Sequence, residues 1–282
     1  MAEPAPDFRC GATLQRGYLD LRDGQMHFVR RQGCGVPIVL LHQTASSSRM
    51  WTKVMERLLA PQPLWALDTP GFGASFDPVQ DPTMADYTRW LAEAIDQLAG
   101  SGRVHLVGHH TGAAIALAYA AARPERTQSL TLFGPAALTQ EERNHYASRL
   151  GAPFRPNRSG AYLLKNWEYL RVGGADRDID LLHREMIDML RGWASRPHAY
   201  RAVWEQDVAA QLGSLTCPLH LISSPDDLLF GLFNRTCAVR PDAQVTILSG
   251  GANFAPDLKA DEVASALDAS GFYGEAALTC EQ

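Results

Sequence analysis

The chain has 282 residues, 46% of them hydrophobic and 20% charged, with a net charge of −5. That is enough chain for one large layered core and the composition of a globular protein, so wholesale disorder is excluded. The charge provides no basic field for nucleic acid or anionic lipid, and no apolar run reaches the ~18 residues a membrane span needs. A small-molecule partner is the class left standing.

The first nine residues, Met1 to Arg9, carry neither a basic region nor an apolar one, so no signal peptide is expected and the compartment expected is cytoplasmic. Cys10, Cys34, Cys217, Cys237 and Cys280 are odd in number and scattered, which argues against a disulfide framework and a zinc site.

Residues 1–16 read as a loose leader. Tyr18 to Arg22 and Met26 to Arg30 flank Asp23-Gly24, a dipeptide suited to a type I′ turn, and predict an antiparallel hairpin. Pro37 to His42 is short and apolar throughout, the pattern of a strand buried on both faces of a parallel sheet. Helical spacing follows over Arg49 to Leu59, a strand over Leu64 to Asp68, a turn over Thr69 to Ser75, and a helix over roughly Met84 to Leu98.

Val104 to Leu117 then runs from strand through His109-His110-Thr111 into an alanine-rich helix. Glycines two residues either side of His110, Gly108 and Gly112, suit a sharp strand-to-helix elbow in which side chains would collide with the neighbouring backbone. The apex residue of such an elbow projects beside the free N–H groups of the helix start.

Ser129 to Phe133 is another buried strand, so the alternation predicts a doubly wound α/β sheet. From Ala137 to Gly213 the alternation stops in a helical, aromatic stretch, read as an inserted cap. Strands resume at Pro218 to Ser224 and Val245 to Leu248. The division expected is a core of 17–136 and 214–273 around a cap of 137–213.

Five motifs in this order resemble the α/β-hydrolase superfamily: the Leu41-His42 strand end, Asp68 to Ser75, Gly108 to Gly112, Pro218 to Asp227, and Gly251 to Phe254. The resemblance implies that fold, a mostly parallel doubly wound sheet with an inserted helical cap. It also implies a nucleophile at the elbow, an acid after the Pro218 strand and a histidine before the last helix. Here those positions hold His110, Asp227 and Asn253. An asparagine cannot act as base, so the Ser-His-Asp acyl-transfer route is unavailable to these three.

The resemblance further implies an oxyanion hole from the backbone N–H groups of Thr44 and Thr111, which survive side-chain exchange. Gln43 stands where the family has glycine. The expected site is His110 as general base, reaching Asp227 or Asn253, with Asp226 left open as the alternative carboxylate. Gln43, His109, Trp167 and Trp204 are expected to bind substrate, with His109 also a candidate for packing beside the elbow. No nucleotide or metal motif is present, so neither a cofactor nor a metal is expected.

The expected reaction is hydrolysis of a small, partly apolar carbonyl compound (an ester, a lactone or a C–C bond) by histidine base catalysis. A lyase, isomerase or cyclase moving protons through His110, and a non-catalytic ligand-binding protein, are the alternatives.

Overall fold

The computed structural model describes residues 13–149 and 154–273. Eight strands form one sheet in the order β1-β2-β4-β3-β5-β6-β7-β8. They are β1 (Gln15–Leu21), β2 (Gly24–Arg31), β3 (Ile38–Leu41), β4 (Leu64–Leu67), β5 (Val104–His109), β6 (Thr127–Phe133), β7 (Leu219–Ser223) and β8 (Gln244–Ile247). The β1-β2 and β2-β4 pairings are antiparallel, and every pairing from β4 to β8 is parallel.

The apolar run of β3 works as its composition predicts. Alternate residues point to opposite faces of a strand, and here both faces are covered. Val39 and Leu41 enter one core layer while Ile38 and Leu40 enter the other. The same split recurs in β7, where Leu219 and Leu221 join the first layer and Ile222 the second.

The helices are α1 (Thr52–Arg57), α2 (Met84–Ala99), α3 (Thr111–Ala122), α4 (Gln140–Arg149), α5 (Ala161–Val172), α6 (Ile179–Arg191), α7 (Arg196–Glu205), α8 (Val208–Ser214), α9 (Phe230–Val239), α10 (Ala255–Leu258) and α11 (Ala260–Ala269). A capping box starts α2, with the Thr83 hydroxyl accepting from Asp86 N–H while the Asp86 carboxylate accepts from Thr83 N–H. Helices α4 to α8 lie in the chain between β6 and β7, where the inserted cap is expected. Residues 1–12 of the expected leader lie outside the described residues.

Two expectations need correction. The hairpin pairs Leu21 with Gly24, so its two-residue loop is Arg22-Asp23 and Gly24 opens β2. The reason is tertiary: Asp23 accepts from Trp90 Nε1 and from Arg89 on α2, which fixes the turn one residue earlier than its composition suggests. Cys34 is disulfide-bonded, whereas Cys217 and Cys237 are free thiols. Sequence spacing does not reveal which cysteines fold to within bonding distance. Among the described residues no helix is long and apolar enough to cross a membrane.

Candidate active site

The elbow between β5 and α3 puts His110 at its apex with φ 47° and ψ −106°. This left-handed conformation costs a non-glycine residue about 1–2 kcal/mol, so the surroundings must enforce it. They do so through two glycines that cannot be replaced. A Cβ on Gly108 would lie 2.4 Å from the carbonyl oxygen of Gly112, and one on Gly112 would lie 2.3 Å from that of Leu41.

His110 Nε2 lies 2.8 Å from Oδ2 of Asp227, in the turn after β7. Burial, the largest influence on Asp227, works against its ionisation; the charge and hydrogen bond of His110, with help from Leu229 N–H, outweigh it and hold the carboxyl below its ordinary range. A carboxylate only accepts, so Nε2 donates and Nδ1 is left as the proton-accepting nitrogen. Asp226 turns the other way, onto Arg177 Nη1 at 2.6 Å and the N–H of Ala252 at 3.1 Å. Asp227 is thus the carboxylate that meets the elbow.

Asn253 makes its contacts elsewhere. Its Oδ1 accepts from Leu228 N–H at 3.2 Å, its N–H donates to Gly173 O at 3.3 Å, and its carbonyl accepts from Gln43 Nε2 at 2.9 Å. It therefore joins the turn that carries Asp227 to the end of α5 and to the loop after β3. Its amide bonds to the residue next to Asp227, and the hydrogen bond of His110 goes to Asp227.

His109 is 1% exposed and stacks on Phe133, with ring centroids 5.8 Å apart. Burial, reinforced by repulsion from His110, holds it neutral. It packs behind His110, at 4.4 Å between centroids, rather than in the lining of the cavity. One ligand atom each of His109, His110 and Asp227 lie within 4.8 Å of one another, the one group of potential metal ligands among the described residues. A cation there would have to displace the proton joining Nε2 to Asp227.

His42, at the strand end, has both nitrogens engaged: Nδ1 lies 2.7 Å from Gln43 O, and Nε2 lies 2.9 Å from Thr69 N. The carbonyl only accepts and the amide only donates, so the tautomer is fixed with the proton on Nδ1, and burial favours the neutral ring. Asp68 organises the same region. It accepts from His27 Nδ1, Ser48 N–H and Ala74 N–H. Although burial opposes it, these bonds and His42 hold its carboxyl down to about 2.

A cavity of about 270 Å³ lies between the elbow and helices α4 to α8. Gln43, Thr44, His110, Thr111, Asn253 and Trp204 all line it. Thr111 opens α3, where the first N–H groups have no partner within the helix. Tyr200 ties α7 to the loop after β3 by donating from its hydroxyl to Thr44 O at 3.3 Å. Trp204 is stacked between Tyr146 and Tyr200. Trp167, expected at the substrate, packs instead against the apolar cluster of Leu170, Leu181 and Leu182. A helical aromatic stretch shows that some rings will be buried without showing which face each takes.

No serine lines the cavity among the described residues. The loop serines are engaged: Ser46 Oγ donates to Glu185 Oε1 at 2.9 Å and Ser47 Oγ to Asp188 Oδ2 at 2.7 Å. Glu185 is the lining residue that sequence reading misses. Leu181, Glu185 and Met189 share one buried stripe of α6, four residues apart, so a carboxyl sits where an apolar side chain belongs. That interruption was the available signal. Glu185 and Asp257 share one guanidinium, Arg184, while Asp188 is paired with Arg49. Burial, with the nearby Asp188 and Asp257 adding to it and Arg184 opposing it, pushes the Glu185 carboxyl up to about 7.

Comparison with known proteins agrees on the fold. Residues 36–159 match the family model described as alpha/beta hydrolase fold. The enol-lactonase from Burkholderia xenovorans LB400 superposes with a TM-score of 0.73 at 18% identity, over 90% of this chain and 99% of that one. The chain has the α/β-hydrolase fold.

Among curated relatives, it is 28% identical over 233 residues to a pimeloyl-[acyl-carrier protein] methyl ester esterase from Aeromonas salmonicida, covering 78% of this chain and 84% of the relative. It is 34% identical over 111 residues to a haloalkane dehalogenase from Agrobacterium fabrum, covering 39% of this chain and 36% of the relative. With this dehalogenase and the next two curated relatives, the match spans about a third or less of the relative's length. These hydrolase-fold relatives are enzymes.

Proposed function

We propose that this chain hydrolyses a small, partly apolar carbonyl compound, an ester, a lactone or an activated C–C bond, by base catalysis from His110. The observation that carries the reading is the 2.8 Å contact of His110 Nε2 with Asp227 at the elbow that lines the cavity. With Nε2–H held by the carboxylate, Nδ1 takes a proton from water as the water oxygen adds to the carbonyl carbon. The N–H groups of Thr44 and Thr111 receive the oxyanion. Collapse of the tetrahedral species expels the leaving group, which takes the proton back from Nδ1.

Apolar lining from Leu117, Leu138, Val203 and Phe254 supports a substrate with a hydrocarbon part. The esterase and lactonase among the similar proteins support carbonyl hydrolysis as the class.

The test is a panel of short esters and lactones in oxygen-18 water. Label in the product acid, lost in His110→Ala, is the expected result. Turnover without label would transfer the site to proton-moving chemistry, and strong labelling of a serine by a fluorophosphonate would overturn the histidine mechanism.

A further inference from the structure

We propose that Glu185 determines specificity: its Oε2 faces the cavity as a hydrogen-bond donor to a second, uncharged oxygen of the bound compound. This rests on the reading of the cavity as a site for a partly apolar carbonyl compound.

The geometry distinguishes the two carboxyl oxygens. Oε1 accepts from Ser46 Oγ at 2.9 Å and from Arg184 Nη2 at 2.5 Å. Oε2 makes no hydrogen bond among the described residues, yet Glu185 lines the cavity while being 2% exposed. An oxygen that lines the cavity without a protein partner is free to bond a ligand atom that enters it. One turn further along α6, Met189 lines the same cavity, and its Sδ is already taken by Arg196 Nη1 at 3.6 Å.

Charge decides which kind of atom is recognised. Arg184 spends Nη1 and Nη2 on both oxygens of Asp257 while also reaching Glu185, and Asp188 is occupied by Arg49 and Ser47. Three carboxyl groups thus face two guanidinium groups. The surplus is removed when Glu185 keeps its proton, which Oε2, free of donors, is placed to carry. An anionic ligand group would meet Asp188 and Asp257 behind this carboxyl, so the oxygen recognised is neutral: a ketone, ether or second ester carbonyl.

The test compares binding of valerophenone with that of its 4-oxo derivative, which has the same skeleton and one added ketone. Neither is hydrolysable, so calorimetry reads binding without turnover. At pH 6 the diketone is expected to bind about tenfold more tightly, the value of one neutral hydrogen bond in a buried site. That preference falls as the pH rises through 7.

Other groups that could impose a pH dependence are Arg184, Asp188 and Asp257 against the carboxyl, Arg49 behind Asp188, and His110, Asp227, Tyr169 and Tyr200 around the cavity. Repeating the measurement in His110→Ala removes the imidazole, and the preference should persist there. That result also separates this inference from the catalytic one, since an inactive enzyme can still discriminate. Glu185→Gln, whose amide can donate at the same place, is expected to keep the preference and lose its pH dependence; Glu185→Met binds both ketones equally. Equal or absent binding of the pair by the wild-type protein, a preference unaffected by pH, or one that survives in Glu185→Met would overturn the proposal. The first two readings need no variant to fold.

Discussion

Oδ2 of Asp227 and Nε2 of His110 are joined across the sheet, from the turn after β7 to the elbow after β5, by a single 2.8 Å hydrogen bond between residues 117 apart in sequence. The bond sets which ring nitrogen is available to a ligand. Substituting Asp227→Asn replaces the acceptor-only carboxylate that fixes the tautomer by an uncharged amide that can also donate, at nearly the same volume, so turnover should fall on the order of 100-fold or more with the fold retained. His110→Ala should lose about 10²–10⁴-fold. Steady-state rates on the first ester or lactone found to turn over, alongside circular dichroism, measure both. Near-normal activity in either variant would remove the pair from the mechanism.

Gly134, just past β6, holds the ring from the other side. Its φ is +58°, and a Cβ there would lie 2.5 Å from Cδ2 and Nε2 of His110. Gly134→Ala should therefore cost about 1–3 kcal/mol in stability and most of the activity, because the imidazole must move off Asp227. Gly100→Ala is the matched control. Its φ is +53° with nothing within 4 Å of the added methyl, so it should cost about 1 kcal/mol with unchanged rates. Thermal denaturation and activity assays on the two variants separate backbone strain from displacement of His110.

The contrast between these glycines and Glu185 shows what the sequence makes legible. Strand runs such as Ile38 to Leu41, and the glycines around His110, announce themselves because their constraints are local: two buried faces, or backbone within 2.4 Å of a would-be Cβ. The hairpin loop shifted by a residue because Asp23 answers to Trp90, 67 residues away. Whether Asp226 or Asp227 meets the elbow depended on Arg177 between α5 and α6, and Trp167 turned into the cluster of Leu170, Leu181 and Leu182 for reasons equally remote. Asn253 was expected as one of two partners for His110; its bonds go to Leu228, Gly173 and Gln43.

Asp68 predicts the behaviour of the core in acid. Its carboxyl is held at about 2 against an ordinary 3.8, so the folded state favours the ionised form. A depressed carboxyl contributes stability that is present above the unfolded value and lost as the pH falls through the folded one. The window is therefore roughly pH 4 down to 2, and the contribution on the order of 2 kcal/mol. Asp68→Asn should flatten the loss of stability across that window, as read from urea midpoints at each pH. A wild-type-like acid slope in the variant would mean that the bonds to His27, Ser48 and Ala74 do not bias its ionisation.

Glu185 works in the opposite direction and over a different range. Its folded carboxyl stands at about 7 against an ordinary 4.5, because burial disfavours the charge. For a raised acid the contribution is fully present below the unfolded value and is lost as pH rises through the folded one, since the unfolded chain ionises first. Stability should accordingly decline between about pH 4.5 and 7, by up to roughly 3 kcal/mol, and level off above that. Glu185→Gln cannot ionise, keeps an oxygen for Ser46 and Arg184, and should remove the decline. Urea midpoints from pH 5 to 8 for the two proteins decide it: parallel curves would mean that the carboxyl is already charged in the folded state. The same protonation supports the donor role inferred for Oε2, so the midpoint of the stability decline and that of the ketone preference should fall near one pH.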